Sequence, residues 1–424
     1  MVERRTLENL DFSQLVRRGD LVCWGQGPAE PLPLTQKLME QRHDIGSFNC
    51  FIGISWSDTP NPEFTDAVNF VSYCAAGTNR KLAEAGALEI YPQQYSRMAD
   101  FLPGLVDVLL VQVVPGKQLG GYNLALACEY LVPLVKSARL VIAELNAQAP
   151  IVAAEDTISA EDIDILIETD RALPHAAPMR SGSRENRIAH YIAGLVEDGA
   201  TLQVGLGAIP ETVLPALAGH RNLGVHSGLV SNSVVDLIEC GVVNNSRKPN
   251  NDRSVATGLL AGSGRLNSFA QHYPDQIRLC STSFTHKPSV LAGIDRFTAI
   301  NSAVEVDLFG QVNAEMVGSN YVGAVGGLPD FMRGALNSSG GLPITALRSV
   351  ARTGDGGLNS KIVARLNGPA TLPHADAGII VTEYGVADLR NQTLAQRARR
   401  LIAIAHPDFK EELEQSAWRM EKVG

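Results

Sequence analysis

At 424 residues the chain predicts two or three domains with ample buried core. Its 45% hydrophobic and 19% charged residues are those of a folded protein and exclude a disordered one. The net charge of −9 argues against a nucleic-acid partner, which needs a basic stripe, but it leaves room for an anionic ligand held by N–H groups at helix starts.

Six cysteines, Cys23, Cys50, Cys74, Cys128, Cys240 and Cys280, never form Cys-x-x-Cys. They read as reduced thiols without a metal site. No apolar signal core follows Met1, and no run approaches the roughly eighteen apolar residues of a membrane span. The expectation is a cytoplasmic protein with no membrane partner.

In chain order, Gly19-Asp20-Leu21-Val22-Cys23-Trp24-Gly25-Gln26-Gly27 reads as a strand entering a Gly-x-Gly turn, with an amphipathic helix over 31–39. Apolar runs at 106–114, 140–143, 202–205, 297–300, 344–347 and 377–382 fit buried parallel strands. Helical periodicity lies between them at 124–135, 187–196 and 233–240. This alternation predicts an α/β fold with open sheets. Pro174, Pro178, Ser181, Gly182 and Ser183 cluster in 172–185, which divides the chain into domains 1–180 and 181–424.

The two halves echo each other. The first glycine segment aligns with Gly199-Ala200-Thr201-Leu202-Gln203-Val204-Gly205-Leu206-Gly207 at an offset of 180. Gly120-Gly121-Tyr122-Asn123 likewise aligns with Gly310-Gln311-Val312-Asn313. Two pairs in the same order favour two related α/β halves.

Several segments carry chemistry. Gly205 and Gly207, ahead of Ala208, Ile209 and Pro210, let a ligand approach bare backbone N–H groups, although Pro210 stands where a dinucleotide fingerprint has its third glycine. The same pattern equally suits a simple strand–helix turn. Gly323-Ala324-Val325-Gly326-Gly327 is a second glycine-rich turn, fit for an oxyanion or phosphate nest or for a tight loop. Glu305 and Asp307 share one face of a strand, where burial without partners is costly. Glu383 ends another strand, with Asp388 and Arg390 spaced for a local pair.

Together these segments resemble the acetyl-CoA hydrolase/transferase family, which includes the butyrate, 4-hydroxybutyrate and succinate CoA-transferases. The likeness runs along nearly the whole chain and is densest at 202–210, 234–245, 299–315, 323–331 and 379–407. It implies two related CoA-transferase-type open α/β domains and an acyl-CoA substrate at their interface. It also implies a small carboxylic acid as second substrate, a homodimer or larger homo-oligomer, and no metal or cofactor beyond coenzyme A. In such proteins a glutamate two residues after a His or Tyr attacks the thioester.

Here that segment reads His226-Ser227-Gly228, which puts Gly228 at the nucleophile position. A second departure places His286 where an oxyanion-binding Asn is usual. Gly205, Leu206, Gly207, Ala208 and Ile209 match the CoA-contacting turn. Gly326 and Gly327 match the glycines at the thioester oxygen, and Glu305 an acidic position beside the CoA. The leading expectation is hydrolysis of a CoA-linked substrate by water in the space vacated at Gly228, with His286 as general base at an ordinary pKa near 6.5; a packing role for His286 is the competing reading. The alternatives are a CoA-transferase using a displaced carboxylate such as Glu305, and a non-catalytic acyl-CoA-binding protein. Ser227 is a further nucleophile candidate. Trp24, Phe48, Phe51 and Trp56 suggest an acyl group larger than acetyl, unless they belong to the core.

Overall fold

The computed structural model describes residues 2–116, 120–155, 157–176, 181–354 and 356–421. Within the boundary segment 172–185, residues 177–180, Pro178 among them, lie outside the described residues.

Two open sheets dominate the chain. The first has the spatial order Glu3–Arg5, Ile165–Thr169, Leu140–Asn146, Val108–Pro115, Leu21–Trp24, Phe48–Ile52, Val68–Ser72, Leu88–Ile90, and every neighbouring pair along this path is parallel. Val108–Pro115 is buried along its length until Pro115, as a strand covered on both faces must be.

The second sheet runs Gly385–Asp388, Ile379–Thr382, Leu342–Ala346, Phe297–Ser302, Thr201–Val204, Gly224–Val230, Val255–Leu260, Ile277–Leu279. Here the edge strand Gly385–Asp388 is antiparallel, and Ala153–Ala154 from the first half adds to the opposite edge.

In each sheet the strand order reverses at one place. Strands that follow Leu21–Trp24 first extend to one side, and later ones return to its other side; Thr201–Val204 does the same in the second sheet. Ligands of open α/β sheets sit outside the carboxyl ends of strands at such reversals. Both Gly-x-Gly turns leave these two strands, so the repeat at offset 180 is a repeat of fold. The second echo holds as well: Gly121–Leu124 folds back antiparallel on Val108–Pro115, and Val312–Asn313 on Glu305–Asp307.

The helix expected over 124–135 is confined to Leu131–Ser137. Residues 125–130 are irregular, with Leu126 and Glu129 at φ of 66° and 44°. Their apolar side chains are buried because this segment crosses to the second sheet. Cys128 N donates to Gly258 O at 2.9 Å, Leu260 N to Leu126 O at 2.8 Å, and Thr282 N to Glu129 O at 2.9 Å. Tertiary hydrogen bonds here override helical periodicity. One apolar core, including Phe51, Leu109, Leu126, Leu202 and Leu259, runs through both halves.

Candidate active site

A cavity of about 400 Å³ opens where the carboxyl ends of the two sheets meet. Gln26 reaches it from the first Gly-x-Gly turn, and Gly205 and Leu206 from the second. Gly205 is bare for a reason of space: a Cβ there would stand 2.7 Å from Asn301 Oδ1, whose amide is paired with Gln203. Beyond it the turn divides. Gly207, at φ 136°, opens the helix Ala208–Ala216. Ala208 lines a separate, larger cavity of about 930 Å³ together with Ser231, Asn232 and Ser263, and Ile209 is buried in the core.

The second glycine-rich turn closes another wall. Ala75 N donates to Gly323 O at 3.1 Å and Tyr95 N to Gly326 O at 2.9 Å, so the first domain clamps this turn of the second. Gly326 takes φ 53°, and Gly327 caps the helix Leu328–Asn337. The first N–H groups of a helix have no carbonyl partner within it, and at the cavity wall they favour developing negative charge.

His286 lines the same cavity, but not as the base expected from sequence. Burial, aided by the nearby His226, pushes its pKa down to about 3, so the imidazole is neutral at physiological pH. Its ring lies 4.4 Å from that of Phe331 and 4.8 Å from that of Tyr95. A Cβ on Gly228 would stand 2.9 Å from His286 Cε1 and 3.0 Å from Nε2. A side chain at position 228 would therefore meet the imidazole first. Nδ1 lies 2.9 Å from the Thr285 hydroxyl. His226 is a support: its pKa is also depressed to about 3 by burial, and Nε2 donates to Thr285 O at 3.2 Å.

Three further candidates prove to be held elsewhere. The Ser227 hydroxyl bonds both the N–H and the C=O of Val204, tying two strands together where their own pairing ends after Val225. Glu305 accepts from the Asn313 and Asn367 side chains and from the N–H groups of Asn367 and Gly368. It lines a neighbouring cleft with Lys361 rather than the cavity of His286. Glu383 is likewise satisfied, by Ser349 N and Oγ, while Asp388 and Arg390 form their local pair. Trp24, Phe48 and Phe51 are core residues, and Trp56 packs on Gly27; none of them lines the cavity.

The group that sequence reasoning missed is Glu129. It lines the cavity from the irregular segment 125–130, and a Cβ on Gly258 would meet its Cγ at 3.0 Å and Gly228 O at the same distance. Glu129 Cγ thus lies in the neighbourhood of the Gly228 carbonyl. Gln26 Nε2 donates to both its oxygens at 2.6 and 2.7 Å, and Tyr95 OH to Oε1 at 2.7 Å. Tyr73 OH and Ile54 N in turn fix the Gln26 oxygen. Burial raises the Glu129 pKa to about 7 against these hydrogen bonds, which lower it. One signal was present in sequence: a lone carboxylate inside the apolar run 124–135, costly to bury without a purpose.

Among the described residues, no group of three or more His, Cys, Asp or Glu could hold a metal ion, and no helix is long and apolar enough to cross a membrane.

Comparisons with known proteins agree with this architecture. Residues 3–175 match the acetyl-CoA hydrolase/transferase N-terminal domain and residues 262–417 its C-terminal domain. The chain is 32% identical over 425 residues to the succinyl-CoA:cyclohexane-1-carboxylate CoA transferase of Geobacter metallireducens, covering 98% of this chain and 95% of that one. It is 40% identical over 310 residues to the 4-hydroxybutyrate coenzyme A transferase of Clostridium kluyveri, covering 73% and 71%. The crystal structure of RipA from Yersinia pestis superposes with a TM-score of 0.91 at 29% identity, over 99% of this chain and 98% of that one.

Proposed function

Because this chain belongs to the acetyl-CoA hydrolase/transferase family, we propose that it moves CoA between an acyl-CoA and a small carboxylic acid, with Glu129 as the reacting carboxylate. One observation supports the reading: the cavity lined by Gly228, where the resemblance expects a glutamate, is also lined by a carboxylate of the other domain, Glu129. Its left-handed backbone, at φ 44°, is the kind of strain that persists where the surrounding structure holds a residue for use. The relatives named above as CoA transferases support transfer over hydrolysis.

In this mechanism an ionised Glu129 oxygen attacks the thioester carbonyl, and a C–O bond forms. The tetrahedral oxyanion accepts from the N–H groups at Gly327 and the start of the following helix, and from His286 Nε2–H. That tautomer requires the Thr285 hydroxyl to donate to Nδ1 at 2.9 Å rather than to Ser281 O at 3.2 Å; a neutral imidazole then serves as a donor rather than a base. The C–S bond breaks and CoA leaves as thiolate, giving a mixed anhydride. Thiolate attack on the glutamyl carbonyl releases the first acid and leaves Glu129 as a CoA thioester. A second carboxylate reverses both steps, and Glu129 is regenerated.

A second reading is hydrolysis with Glu129 as general base. A carboxylate with a pKa of about 7 is well matched to accepting a proton from water at neutral pH. His286, with its pKa pushed down to about 3 by burial, is too weakly basic for that role at neutral pH. Free-thiol release from butyryl-CoA, with and without added acetate, separates the two. Transfer requires acyl exchange onto acetate and a borohydride-reducible adduct located at residue 129 by mass spectrometry. Thiol release without acid and without an adduct favours hydrolysis. An adduct on any other carboxylate would remove Glu129 from the mechanism.

A further inference from the structure

We infer that the acyl end of this cavity takes neutral, apolar acyl groups and rejects those carrying a second carboxylate; this rests on reading the cavity as the acyl-CoA site. Ile54, Ala76, Leu229, Leu259, Val322 and Ala324 supply apolar walls. Apart from His286 and Ser302, the amide, tyrosine and carboxylate side chains are engaged with one another. Gln203 and Asn301 exchange two hydrogen bonds, and Tyr73, Gln26 and Tyr95 form a chain that ends on Glu129.

Among the described residues, no lysine or arginine lines this cavity. The basic side chains Lys361 and Arg365 line the adjoining cleft on the far side of Val304, a residue that lines both, where Lys361 Nζ donates to Val304 O at 2.8 Å. A terminal carboxylate on the acyl group would lose its hydration without gaining a cation, a large cost for a buried charge. It would also face Glu129, a like charge once that residue ionises. An alkyl or cycloalkyl chain meets neither penalty and gains from burial.

The test compares binding of S-butyl-CoA and S-(3-carboxypropyl)-CoA to the native protein by titration calorimetry. These thioethers cannot react, so affinity is read without catalysis, and they differ only in the terminal carboxylate. The carboxyl analogue is expected to bind about 100-fold more weakly. A difference below about tenfold overturns the inference and leaves the acyl-CoA reading intact. Failure of both analogues, and of CoA itself, to bind overturns the acyl-CoA reading and this inference with it.

Discussion

Replacing Glu129 with Gln keeps the shape of the side chain and removes its charge. Between the ordinary value of 4.5 and about 7 in the fold, the pKa displacement amounts to about 3 kcal/mol against the ionised form, at 1.36 kcal/mol per pH unit. Below pH 4.5 both folded and unfolded chains carry the proton, so the group contributes no penalty. As pH rises from 4.5 the unfolded chain ionises first and stability falls, until the full cost is present above pH 7. Glu129→Gln removes that cost. It also sets an amide N–H against the Gln26 amide now 2.6–2.7 Å from the carboxylate, a loss of about 1 kcal/mol.

The variant should therefore be more stable than the native protein by about 2 kcal/mol at pH 8.5. At pH 5 most of this gain is absent. Its turnover should fall by about 10³-fold or more, as when a nucleophile or general base is removed. Melting midpoints at the two pH values, with acyl exchange measured on the same samples, check both. Retained turnover, or a stability difference that does not grow with pH, would refute the role given to Glu129.

Other expectations follow from the same geometry. Tyr95→Phe removes a hydrogen bond to the carboxylate worth about 1.5–3 kcal/mol, so the rising limb of the pH–rate profile should move to higher pH while KM changes little. His286→Ala should lower kcat by about 10²–10³-fold through loss of an oxyanion donor. His286→Asn, which keeps a donor, should lose less, and the native profile should show no inflection near 6.5 because burial holds this imidazole near 3. Gly228→Glu should cost about 1–3 kcal/mol by overpacking against the imidazole. Combining it with His286→Asn should recover part of that loss, a non-additivity that denaturation of the two single variants and the double variant would reveal.

The Gly-x-Gly repeat, the apolar strand runs and the two glycine-rich turns made the α/β architecture and most of the cavity wall legible in the sequence. These signals are local: strand burial, turn chemistry and helix starts are written in consecutive residues. The absence of a glutamate after His226-Ser227 was equally plain. Tertiary structure alone decided what surrounds Gly228. That His286 packs beside Gly228, and that burial strips it of basicity, depends on Phe331 and Tyr95 converging from distant parts of the chain. Glu305 looked reactive in its strand, but its oxygens are saturated by residues 313, 367 and 368. Glu129 lay unremarked inside a stretch whose periodicity reads as helical. Interdomain hydrogen bonds unwind that stretch into a left-handed turn and bring its carboxylate 103 residues back to Gln26; a pKa set by desolvation and distant donors is a property of the assembled fold, not of any local sequence.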